Sequence, residues 1–251
     1  MKYSASVRNR LAKLINSLIF ATILLAIFAA LIFTWISDLL IMIKNIIFDL
    51  GGVVLNIDYN LTAQEFKKLG LQNFDSFYSQ AKQSHVFDLF EKGLISAEKF
   101  REMFRTTTGI IFCDMELDRA WNAMLLDLPK ERVDLLLKVK QNYNTYLLSN
   151  TNIIHYEAYT NQLQQSFGIP NLGVLFHKEF YSHEIHFRKP ERECFQFVLD
   201  DQNIIAEETL FIDDSIQHIE GAKDLNINTF YMDKTQNRSI LKLFDMEGKL
   251  K

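Results

Sequence analysis

The residues of this chain that could do chemistry stand where short apolar runs end. Asp49 follows Ile46-Ile47-Phe48 and precedes Gly51-Gly52, so a carboxylate is delivered at a run's end and the glycines permit a tight turn. Ser149 and Asn150 follow Leu147-Leu148, and Asp213-Asp214-Ser215 follow Phe211-Ile212. Lys189 lies in Arg188-Lys189-Pro190, just before a helical stretch from Glu191 to Leu199. Each has an ordinary reading when taken singly: an Asx-Gly turn for Asp49, a helix cap for Ser149, a solvated charge for Lys189, a turn for Asp213-Asp214. Three strand-end polar groups and one lysine, in this order, are hard to obtain by chance. In open α/β sheets ligands bind outside the carboxyl ends of the strands, and these groups would meet a ligand there.

The elements that must position them are legible in outline. Apolar runs recur at Ile46–Phe48, Tyr146–Leu148, Val174–Phe176, Leu210–Ile212 and Thr229–Tyr231. Such continuous short runs fit strands buried on both faces of a parallel sheet, and helical stretches between most of them complete a βαβ alternation. The interval between the first two runs is far longer than a simple crossover requires, so a domain is inserted there. It reads as helices. Asn60 and Ser96 are candidate N-caps, Val86, Phe87, Leu89 and Phe90 form one apolar stripe, and Phe100, Met103 and Phe104 form another. Asp114 precedes Leu117, Ala120, Trp121 and Met124, and Pro129 sits where a first helical residue belongs. The expected fold is α/β, with a Rossmann-like parallel core over 42–58 and 142–251, a helical cap over 59–141, and a single apolar helix in front.

The ordered set Asp49, Ser149, Lys189 and Asp213-Asp214 resembles the motifs of the haloacid-dehalogenase superfamily. The resemblance covers Met42 to about Tyr231. The helical insert, Phe48-Asp49-Leu50-Gly51-Gly52-Val53 and Leu89-Phe90-Glu91-Lys92-Gly93-Leu94-Ile95-Ser96 resemble the subfamily I branch with the soluble epoxide hydrolase N-terminal phosphatase and the sugar-1-phosphate phosphatases. The resemblance implies a Mg²⁺-dependent hydrolase of small phosphomonoesters. Asp49 would be the nucleophile that forms an aspartyl-phosphate. Mg²⁺ would be held by Asp49, the Gly51 carbonyl and Asp214, with Asp213 in support. Ser149 and the backbone of Asn150 would bond the phosphoryl group, and Lys189 would offset its charge.

One position departs from the family pattern. Its phosphatases usually carry a second Asp two residues after the nucleophile, as general acid, and here Gly51 stands there. Such proton transfer is worth roughly 10²–10⁴-fold. A leaving group of lowered pKa would need it less, which favours a sugar 1-phosphate. Asp58, His85, His183 and His186 are candidate substitutes, each more simply read as structural. His186 also replaces the glycine usual before Arg-Lys-Pro. Gly51 keeps a second reading open, that of a catalytically weak or dead member binding a phosphorylated ligand or a partner. Dehalogenation is disfavoured because it needs no metal, whereas Asp213-Asp214 suits one.

The formal net charge of −4 argues against a nucleic-acid partner. Two cysteines, Cys113 and Cys194, imply neither a disulfide framework nor a Cys-rich metal site. Leu18 to Ile36 is polar only at Thr22 and Thr34, close to the ~20 residues of a membrane-spanning helix. Lys2, Arg8, Arg10 and Lys13 precede it, which would keep the N-terminus inside. Two readings stay open: a membrane anchor over about 14–37, or a cytoplasmic enzyme whose translation starts at Met42. All the motifs lie beyond Met42, so the chain expressed from there is expected to be soluble, monodisperse and active. The full-length chain should need detergent or fractionate with membranes. Insolubility of the shorter form would make the apolar helix part of the fold.

Overall fold

The strands are β1 (Asn45–Phe48), β2 (Asn144–Ser149), β3 (Lys178–Tyr181), β4 (Thr209–Asp213) and β5 (Asn228–Tyr231). All neighbours pair in parallel, in the order β3-β2-β1-β4-β5. The computed structural model describes residues 42–72, 85–236 and 238–251. β1 is central and wholly buried, with Ile47 in register with Tyr146 on one side and Phe211 on the other. Alternate side chains serve opposite faces. Ile46, Phe48, Leu147 and Ile212 pack with Val133, Leu136 and Val139, while Ile47, Leu148 and Phe211 pack with Phe195, Val198 and Ile219. This is the expected Rossmann-like α/β core.

The described helices are α1 (Tyr59–Lys68), α2 (His85–Glu91), α3 (Ala97–Thr108), α4 (Asp114–Asn122), α5 (Lys130–Asn142), α6 (Ile153–Phe167), α7 (Ser182–Ile185), α8 (Arg192–Gln202), α9 (Ile216–Lys223) and α10 (Ile240–Leu243). Helices α1 to α4 share an aromatic core of Phe66, Phe87, Phe90, Phe100, Phe104 and Trp121. Phe90 stacks on Phe100 at 4.1 Å and Phe87 on Trp121 at 5.1 Å. The stripes seen in the sequence are thus the inside of the inserted unit.

Helix α5 turns Val133, Leu136 and Val139 onto the sheet. The chain enters and leaves the inserted helices through a paired crossing. There Asn56 N donates to Asp127 O at 2.9 Å, Leu126 N to Asn56 O at 3.0 Å, and Asp58 N to Met124 O at 2.9 Å. Asp58, not Asn60, caps α1, accepting from the Asn60 amide at 3.0 Å. Pro129 is the N-cap of α5 rather than its first helical residue. Ser96 does cap α3. Val174–Phe176 is not a strand: a 3₁₀ turn spans Leu172–Val174, and the edge strand begins later, at Lys178. The Lys140 ammonium donates to the carbonyls of Gly173, Val174 and Phe176, supplying partners that a sheet would otherwise give. Leu175 and Phe176 are buried all the same, which is why the run looked like a strand.

Among the described residues no helix is long and apolar enough to cross a membrane. The expected span over 14–37, and the choice of compartment that depends on it, lie outside them.

Candidate active site

Parallel strands leave their carboxyl ends on one edge, and there β1, β2 and β4 set down Asp49, Ser149 and Asp213. The Asp49 amide extends the β1–β4 ladder by one bond, to Ile212 O at 2.9 Å, which places Asp49 beside Asp213. The chain then turns tightly, with Gly52 N donating to Leu55 O and Val54 N to Leu50 O. The left-handed residue of that turn is Gly52, at φ 79°.

Lys189 arrives from the loop before α8. The Asn150 side chain holds its backbone from both sides: Lys189 N donates to Asn150 Oδ1 at 2.9 Å, and Asn150 Nδ2 donates to Lys189 O at 2.8 Å. The Lys189 ammonium, fully buried, donates to Asp49 Oδ1 at 2.6 Å and to Asp213 Oδ2 at 2.8 Å. Burial alone would lower its pKa, but Asp213 and Asp49 outweigh that and hold it well above the ordinary lysine value. Asp213 is also bonded by Ser215 N at 2.7 Å and by His218 Nδ1 at 3.0 Å. Burial works to raise its pKa, yet Lys189 and His218 bring it down to about 2. For Asp49 the balance reverses. Burial pushes its carboxyl up to about 8 against the pull of Lys189, with Asp213 and Asp214 adding to the rise.

Oxygens of Asp49, Asp213 and Asp214 all lie within 4.8 Å of one another. Three carboxyl groups gathered in this way offer all-oxygen donors, which suit a hard divalent cation. Asp49, Gly51, Asn150, Lys189 and Asp214 line one cavity. Asp213 sits behind them with both oxygens engaged. Ser149 is buried at the end of β2, next to Asn150, and is not part of the cavity wall.

The wall also carries residues that the sequence did not single out: Glu91, His155, Arg188 and His218. His218 lies one turn into α9 after Asp213, a spacing that could have signalled it. His155 lies in the first turn of α6, just after Ser149-Asn150. Nothing local marked Glu91 or Arg188 as wall residues. Arg188 meets Glu91 at 2.8 Å and Asp88 at 3.3 Å, and Lys92 meets Glu191 at 2.5 Å, so charged pairs join α2 to the core loop. Of the candidate substitute acids, Asp58, His183 and His186 do not line the cavity, and the His85 side chain lies outside the described residues. His186 takes the left-handed conformation that glycine favours, at φ 64°, and its Nδ1 meets Lys92 O at 2.8 Å. The backbone shape expected of glycine is therefore kept.

A model of the haloacid dehalogenase-like hydrolase family matches residues 43–226, so the chain belongs to that family. The D-ribitol-5-phosphate phosphatase of Bacteroides thetaiotaomicron is 34% identical over 189 residues, covering 75% of this chain and 91% of that protein. A structure of a haloacid-dehalogenase family enzyme from the same organism, with magnesium and inorganic phosphate, is 38% identical. Its TM-score is 0.71, and the match covers 75% of this chain and 93% of that one. A haloacid-dehalogenase-like hydrolase from Porphyromonas gingivalis is 28% identical at a TM-score of 0.70, covering 76% and 91%.

Removing the ammonium would strand two buried carboxylates. Lys189→Met is therefore expected to lower stability by about 3–5 kcal/mol in urea unfolding. A loss below about 1 kcal/mol would mean that the carboxylates are balanced by other groups.

Proposed function

We propose that this protein is a Mg²⁺-dependent phosphomonoester hydrolase acting on a small phosphorylated metabolite through an aspartyl-phosphate on Asp49. The observation that carries this reading is the Asp49 carboxylate, with Oδ1 held by a buried Lys189 at 2.6 Å and Oδ2 without a partner among the described residues. In the first step an Asp49 oxygen attacks phosphorus in line, the bond to the leaving oxygen breaks, and that oxygen takes a proton from water. In the second step water attacks the same phosphorus and releases phosphate, restoring Asp49. Lys189 holds the nucleophile in place and offsets the charge of the phosphoryl oxygens, which the Asn150 backbone helps to bind.

Asp49, Gly51 and Asp214 would hold Mg²⁺, which supplies charge neutralisation of the phosphoryl group when bound. Asp213 supports the site from behind, since Lys189, His218 and Ser215 already occupy it. Asp214→Asn should therefore weaken the Mg²⁺ dependence of activity more than Asp213→Asn does, in a titration of turnover against the metal. A larger effect at Asp213 would reverse the assignment.

The substrate class we infer is a sugar or polyol phosphate. Gly51 favours a leaving group that needs little protonation, as in a sugar 1-phosphate. The Bacteroides thetaiotaomicron relative is by name a phosphatase of D-ribitol 5-phosphate, an ester of a primary alcohol. Turnover along a series of leaving groups separates the two. A steep dependence on leaving-group pKa is expected if the missing acid limits the rate. Gly51→Asp should then raise turnover of alkyl esters by about 10²-fold or more. An added Cβ would lie 2.9 Å from Ile57 Cδ1, the movable end of a side chain, so pairing the change with Ile57→Val makes room. A flat dependence would show that another residue supplies the proton.

Gly51 also supports the second reading, a phosphate-binding protein without turnover. Phenyl phosphate decides between them, because its leaving group does without the acid. Mg²⁺-dependent release of phenol, lost in Asp49→Asn, supports the enzyme, and no release from the intact protein supports the binder.

A further inference from the structure

His155 is buried in the cavity wall, and the mechanism above leaves it idle. Its ring lies flat against Trp121 of α4, with centroids 5.2 Å apart and planes at 2°. Its Nδ1 stands 2.8 Å from Asn122 Oδ1, also from α4. Asn122 Oδ1 can only accept, so Nδ1 carries the proton and Nε2 is left as a bare acceptor. Nε2 has no hydrogen-bond partner among the described residues, and it is not among the buried polar atoms sealed from solvent. Burial holds the imidazole neutral, with its pKa down to about 3, so Nε2 accepts a hydrogen bond from a donor while the ring stays uncharged. A wall that places a neutral acceptor in the same cavity as Asp49 suits a hydroxyl on the ligand.

We propose that His155 is a specificity-determining residue that accepts a hydrogen bond from a hydroxyl of the substrate's sugar or polyol chain. Asn122 is the positioning residue that fixes its tautomer. The inference rests on the phosphohydrolase reading and adds what that reading lacks, a group that tells hydroxylated esters from plain alkyl ones. It also gives the inserted helices a part in recognition, because α4 supplies both the stacking ring and the amide. A substrate without the hydroxyl would leave Nε2 desolvated and unpaired, which a polar site tolerates poorly.

The test compares a pentitol 5-phosphate with 1-pentyl phosphate, both primary alkyl esters, and uses phenyl phosphate to establish turnover. The intact enzyme is expected to favour the pentitol ester in kcat/KM by about tenfold or more. His155→Phe keeps a ring against Trp121 and removes the acceptor. It should erase that preference, chiefly through KM for the pentitol ester. His155→Gln, which keeps an acceptor oxygen, should restore part of it, and Asn122→Leu should weaken it in the same direction. No preference in the intact enzyme overturns the proposal, as does a loss in His155→Phe that is equal for both esters. If phenyl phosphate is not turned over, the hydrolase reading itself fails. If it is turned over and the preference does not respond to His155, only this inference fails.

Discussion

One lysine ammonium, sealed between two aspartates, organises this protein. Burying a charge is costly unless partners surround it, and Lys189 has Asp49 at 2.6 Å and Asp213 at 2.8 Å. The pair is therefore less a source of stability than a constraint. β1 and β4 must lie side by side and in register, so that their last residues meet one cation. The loop before α8 must approach the same edge, and the Asn150 amide holds it there through two backbone bonds. Removing the ammonium leaves carboxylates that the interior cannot solvate.

The same constraint divides labour among the carboxylates. Asp213 is saturated by Lys189, His218 and the Ser215 amide, and it stays ionised. Asp49 keeps one oxygen without a partner and pays for its burial with a raised pKa. A divalent cation beside Asp49 and Asp214 would favour the ionised nucleophile, joining metal binding to the readiness of the site. Around this centre the inserted helices close through ion pairs at Arg188 and Lys92, and through the stack of Trp121 on His155. The cavity wall is thus shared between sheet loops and helices that are remote from them in sequence.

The candidate site was legible in the sequence because its signals are local. Asp49, Ser149 and Asp213-Asp214 each end an apolar run, and parallel strands gather such ends on one edge. Phe66, Phe87, Phe100 and Trp121 were legible as core for the same reason, since helical spacing shows burial. The rest depends on tertiary contacts. Val174–Phe176 has strand-like residues, but Lys140 satisfies its carbonyls from another helix. Pro129 opens a helix next to the insert in sequence, yet that helix packs on the sheet. Glu91, Arg188 and His155 become wall residues only once the inserted helices dock. Asp58 and His183 have the right chemistry and stand outside the cavity.

The most direct test of the covalent mechanism is a rapid acid quench of the protein during Mg²⁺-dependent turnover of phenyl phosphate, followed by peptide mass analysis. A covalent route through Asp49 predicts one added phosphoryl group on the peptide that contains Asp49, absent without Mg²⁺ and absent in Asp49→Asn. Full turnover in Asp49→Asn, or a phosphoryl group trapped on a different residue, would contradict it.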